Sequence, residues 1–109
     1  MPDLKPNELD ALRKLKETLT RNFRLVELRV FGSKARGDSD SESDIDVLVI
    51  LAECDWQTKR GVFDLCFDIG LENDVLLSPI VYSQSRFQSG LTRITPFYQN
   101  VEREGVTIQ

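Results

Sequence analysis

The eight residues from Asp44 to Leu51, Asp-Ile-Asp-Val-Leu-Val-Ile-Leu, constrain this chain more than any other segment. After its second aspartate the run is apolar on both faces and rich in β-branched residues, the pattern of a strand buried inside a sheet. A central strand needs neighbours along both edges and cover on both faces, so further strands and packed helices must exist elsewhere. The strand period of two puts Asp44 and Asp46 on one face and Ile45, Val47 and Val49 on the other. Two carboxylates side by side at the mouth of an apolar strand are costly unless something positive sits between them. Alone, the pair could equally mark a solvated strand end.

The remaining elements can be read from periodicity. Leu9, Leu12, Leu15 and Leu19 recur at three- and four-residue steps, which predicts an amphipathic helix over Asn7 to Arg21 with Asn7 as its N-cap. Leu25 to Phe31 alternates as a strand with one apolar face. A second helix is expected from Asp55 to Asn73, with Val62, Phe63, Cys66, Ile69 and Gly70 on its buried stripe. Val75 to Tyr82 reads as a third strand, and Pro79, which lacks a ladder donor, favours an edge or a bulge. A last helix is expected from Pro96 to Glu104, stopped by Gly105. Phe63, Phe67, Phe97 and Tyr98 read as core and Trp56 as a core or interface residue, while Phe87, Phe97 and Tyr98 could instead form a partner-binding patch. The sum is α+β, a small mixed sheet with helices packed against it, in one domain spanning residues 1–109.

Composition narrows the chemistry. There is no histidine, which removes His-assisted nucleophiles, imidazole acid–base catalysis and His-based zinc sites. Cys54 and Cys66 have neither a CxxC nor a zinc-knuckle spacing and read as free thiols. The longest apolar run, Val47 to Ala52, is six residues, against the ~20 of a membrane-spanning helix. No basic-then-apolar leader opens the sequence, so a cytoplasmic location is expected. Residues 1–37 hold nine Lys/Arg against five Asp/Glu, whereas 38–109 hold five against thirteen. The net charge of −4 disfavours nucleic acid as a partner. Basic and acidic surfaces lying close together suit a metal-complexed polyphosphate instead.

One constellation matches that ligand. Gly32-Ser33 follows the first strand, and ten residues later the Asp44-x-Asp46 pair opens the second. A glycine there allows close approach to the backbone, and the serine offers a hydroxyl and an N–H to an anion. Lys34 and Arg36 lie in the same segment and could neutralise phosphate charge. Two other motifs are excluded. The Gly32–Gly37 segment lacks the Walker A pattern, and a calcium loop counted from Asp38 has Ser43 at its glycine position and Val49 in place of its last glutamate. Asp38, Asp40 and Glu42, separated by serines, read as a solvated loop.

The stretch from Val30 to Ile50, Val-Phe-Gly-Ser through Asp-Ile-Asp-Val-Leu-Val-Ile, resembles the signature of the DNA polymerase β-type nucleotidyltransferase superfamily. It is most similar to the minimal nucleotidyltransferases, the antitoxin halves of pairs with HEPN-domain toxins. The resemblance implies a polymerase β palm-like fold and Mg²⁺-dependent transfer of a nucleoside monophosphate, usually AMP from ATP, to a hydroxyl. In the antitoxin branch that hydroxyl belongs to a tyrosine of the partner toxin. It further implies that Gly32 and Ser33 hold the triphosphate and that Asp44 and Asp46 bind metal. A third carboxylate is expected on a neighbouring strand. Asp74 is the candidate, as catalytic residue and metal ligand, unless it is a turn residue one pleat too early and Ser78 takes its level. A chain this short leaves acceptor recognition to a HEPN partner or a homo-oligomer. The alternative function is a catalytically weak nucleotide-binding module that neutralises its partner by complex formation.

Overall fold

In a computed structural model, described over residues 4–37 and 44–108, the first helix α1 runs Pro6–Asn22 and the first strand β1 Leu25–Phe31. A four-residue helix α2 (Ser33–Arg36) follows, then β2 (Ile45–Leu51), α3 (Trp56–Asn73) and β3 (Leu77–Ser83). Two short helices, α4 (Gln84–Phe87) and α5 (Gly90–Arg93), lead to α6 (Pro96–Glu104) and a two-residue strand β4 (Val106–Thr107).

The strands form one mixed sheet in the order β3-β2-β1-β4, with β2 antiparallel to β1 and parallel to β3. The doubly apolar run is therefore central, as its pattern predicts. Pro79 sits on the edge strand β3, where a missing N–H costs no ladder bond on the outer side. Strand β4 covers the other edge by pairing with Arg29 and Val30. Two residues carry no periodicity, so no sequence pattern announces it.

Alternation divides the core into two layers. Leu28, Val30, Val47, Val49 and Val81 point to one face and pack on Leu12, Leu15 and Leu19 of α1 and on Val62, Cys66 and Ile69 of α3. Each such side chain removed from water contributes about 1.5–3 kcal/mol. Leu48 and Ile50 point the other way, onto Phe87 and Val101, with Phe31, Tyr82, Phe97 and Tyr98 around them. The rings interlock: Phe87 and Tyr98 lie 4.9 Å apart, and Phe31 meets Phe97 edge-on at 5.4 Å. Because Asp46 alternates with Ile45 and Val47, it shares this second, α6-covered face.

Several expectations are corrected. The N-cap of α1 is Lys5, with Pro6 in the first turn where its absent N–H is harmless. The Lys5 N–H is satisfied by Glu8 Oε1 at 2.8 Å. Asn7 caps nothing and instead donates from Nδ2 to the Asn73 carbonyl at 3.0 Å, tying the start of α1 to the end of α3. On α3 the buried stripe is Val62, Cys66, Ile69 and Gly70, while Phe63 is exposed, as are Phe67 (65%) and Trp56 (72%), so none of these three is core. One helix packed on one side of a sheet buries only about a 100° arc. Phe87 is fully buried, which removes it from any surface patch. Among the described residues no helix is long and apolar enough to cross a membrane.

Candidate active site

Asp44 lies just ahead of β2 and is exposed; Asp46, its second residue, is half-buried. Across the sheet, Asp46 is in register with Phe31 on β1 and Ser78 on β3. Ser78 Oγ donates to Asp44 Oδ2 at 3.2 Å. The two acids and Ser78 thus form one polar corner on the α6 side of the sheet. Burial, and then the charge of Asp44, push the Asp46 carboxyl above its usual range, and Arg36 partly opposes them. A carboxyl held toward its protonated form by burial and a neighbouring acid is one whose charge a bound cation would relieve.

The glycine bend adjoins this corner. Gly32 has φ +73°, the left-handed region that favours glycine, and a Cβ built there would lie 2.5 Å from Asp46 Oδ2. The absent side chain makes room for the carboxylate, and the bend also turns the chain from β1 into α2. Ser33 opens α2, and its hydroxyl lies outside the described part of the structure, as do residues 38–43 with the acidic positions Asp38, Asp40 and Glu42. Arg36 reaches Glu104 of α6 at 3.4 Å and is close enough to lower the Asp46 proton affinity. It is thereby held beside the acids.

Two of the sequence-derived site residues do not join them. Lys34 is 1% exposed and its Nζ is 2.9 Å from Glu8 Oε2, itself buried. Its charge is committed to an internal ion pair between α2 and α1, so it is not placed to meet phosphate. Asp74 is the C-cap of α3 in left-handed conformation (φ 56°, ψ 47°), exposed, and ahead of the first residue of β3. The register puts Ser78, not Asp74, opposite Asp46. Asp74 is thus the turn residue, and among the described residues no cluster of three acids, cysteines or histidines could hold a metal. What could hold a cation is the pair Asp44 and Asp46, with Ser78 Oγ beside it.

Sequence reasoning missed a cavity of 150 Å³ between the Gly32 bend and α6, bordered by Phe31, Phe97, Asn100 and the Arg36–Glu104 pair. The spacing of Phe97, Asn100 and Glu104 on one helical face was its only signal in the sequence.

Comparison with known proteins places the family and the fold. The family profile described as "Nucleotidyltransferase domain" matches residues 12–93. A Methanocaldococcus jannaschii protein carrying the provisional name protein adenylyltransferase MJ0141 is 38% identical over 80 residues, covering 72% of this chain and 74% of its own. The fold is shared with a toxin–antitoxin crystal structure containing AMP-PNP (TM-score 0.63, 23% identity, 91% of this chain and 70% of that one). It is shared also with a structure of tri-AMPylated Shewanella oneidensis HEPN toxin in complex with MNT antitoxin (TM-score 0.56, 19% identity, 93% and 70%).

Proposed function

Since the chain belongs to the nucleotidyltransferase domain family, we propose that it transfers AMP from ATP, or another nucleoside monophosphate from its triphosphate, to a hydroxyl on a HEPN-type toxin and so acts as an antitoxin. The observation that carries this reading is that a Cβ on Gly32 would lie 2.5 Å from Asp46 Oδ2, so the bend and the carboxylate adjoin. Phosphate bend and acid pair are adjoining parts of one site, although ten residues separate Ser33 from Asp44.

The donor set fits Mg²⁺: two hard carboxylates whose mutual repulsion a divalent cation relieves, with space left for phosphate oxygens and water. When bound, that ion would neutralise charge on the triphosphate and on the displaced pyrophosphate. The chain's own residues do the positioning. Gly32 exposes backbone to the triphosphate, Ser33 adds its N–H, and Arg36 brings positive charge beside Asp46. The acceptor hydroxyl gives up its proton to solvent as its oxygen bonds to the α-phosphorus and the bond to pyrophosphate breaks, a displacement governed by alignment and charge more than by covalent help from the protein.

The reading is tested by co-expressing a HEPN-type partner and weighing it intact. Mass additions of AMP are expected with the native chain, and Asp44→Asn with Asp46→Asn should lower their rate about 10²–10³-fold or more. Transfer undiminished in the double variant would disprove the metal assignment. One observation favours a second reading: Ser78 occupies the level where a third carboxylate would complete the site. A chain that binds and silences the toxin without adding AMP would be the neutralising binding module instead.

A further inference from the structure

We propose that the cavity between the Gly32 bend and α6 receives the base of the bound nucleotide, with Phe31 and Phe97 as its aromatic wall and Asn100 as its polar contact. The inference rests on the nucleotide reading above and adds to it the residues that would grip the nucleoside end. Position comes first. Phe31 is the cross-strand partner of Asp46, and Gly32 leaves no room for a side chain beside the Asp46 carboxylate, so the cavity that Phe31 and Gly32 line adjoins Asp46. A base lies one ribose away from its α-phosphate, so a nucleotide whose phosphates rest on the bend can place its base here.

Size and lining agree. The volume is 150 Å³, about what a single six-membered aromatic ring occupies in a cavity, and the lining is mixed, apolar from Phe31, Phe97 and Val101 and polar from Arg36, Asn100 and Glu104. Phe31 and Phe97 meet edge-on at 85°, and both border the cavity. Asn100 is exposed at the rim, and its Oδ1 accepts from Arg103 at 2.7 Å, which turns its amide NH₂ into the group left to donate. Every base carries a ring nitrogen or carbonyl able to accept that bond. The Arg36–Glu104 pair joins α2 to α6 across the same space, so the cavity's walls and the arginine beside Asp46 are held by one contact.

The experiment compares two ligands by calorimetry with Mg²⁺ present: ATP, and tripolyphosphate, which has the phosphates without the nucleoside. Asn100→Trp places a large side chain at the mouth of the cavity. It should weaken ATP about tenfold or more, in keeping with the usual worth of base stacking, and leave tripolyphosphate within about twofold. Asn100→Ala should give a smaller loss, again for ATP alone, and decides the matter if the tryptophan variant does not fold. Unchanged ATP affinity, or equal weakening of both ligands, would overturn the inference while leaving the nucleotide reading intact. Failure of the native chain to bind either ligand would overturn that reading and the inference together.

Discussion

Replacing Gly32 by alanine separates the structural from the functional load on a single carbon. The new Cβ would begin 2.5 Å from Asp46 Oδ2 in a residue with φ +73°. The backbone part cannot be relieved locally, because an L-residue held in the left-handed region costs about 1–2 kcal/mol. The contact part can be relieved, since Oδ2 is the end of a side chain that rotates. Moving it to an ordinary separation takes the carboxylate roughly half to one ångström off position, and misplacement of that order costs about 10²-fold in rate. The expected signature is therefore lopsided: a fall of roughly 5–10 °C in Tm with about a hundredfold loss of AMP transfer. Thermal unfolding and intact-mass kinetics on the same preparation read both. A cycle with Asp46→Ala sharpens the test, because without the carboxylate Gly32→Ala should retain only its backbone cost. If Gly32→Ala keeps full activity, the adjacency of bend and acid is not what shapes the site.

Four other outcomes follow from the geometry. Breaking the buried Lys34–Glu8 pair by Glu8→Gln should cost about 3–5 kcal/mol in urea unfolding, whereas Glu8→Leu with Lys34→Met should come close to the native stability. Because the Asp46 carboxyl binds its proton more tightly folded than unfolded, metal-free protein should gain stability as pH falls through the folded pKa toward the unfolded value. Asp46→Asn should remove that slope and raise the neutral-pH Tm; a slope that survives in the variant would locate the proton elsewhere. Ser78→Asp, opposite Asp46, should tighten Mg²⁺ binding about tenfold while lowering metal-free stability, as calorimetry and melting would show. Asp74→Asn should leave transfer within about twofold, since asparagine also tolerates the left-handed C-cap; a loss of orders of magnitude would return Asp74 to the site.

What sequence alone decides here is what depends on local periodicity. A doubly apolar run must be a central strand, a proline must avoid the interior of a ladder, and leucines at helical steps must face a core. Strands β1 and β2, the long helices and the edge position of Pro79 were all legible for that reason. That Asp44 and Asp46 act on one another was legible as well, because two acids one residue apart at a strand's start stay close whatever packs around them. Relations between segments were not. Whether Asp74 or Ser78 stands opposite Asp46 depends on the register between β2 and β3, which α3 and its left-handed C-cap fix from outside either strand. Lys34 carries the right charge in the right segment for phosphate, yet α1 brings Glu8 onto it and buries the pair. Phe67 looks like core by hydrophobicity and Trp56 like core or interface, but α3 can turn only one stripe toward the sheet, and both residues lie off it and are exposed. Side-chain chemistry is written in the chain, whereas which charge meets which partner is settled by packing between elements far apart in sequence.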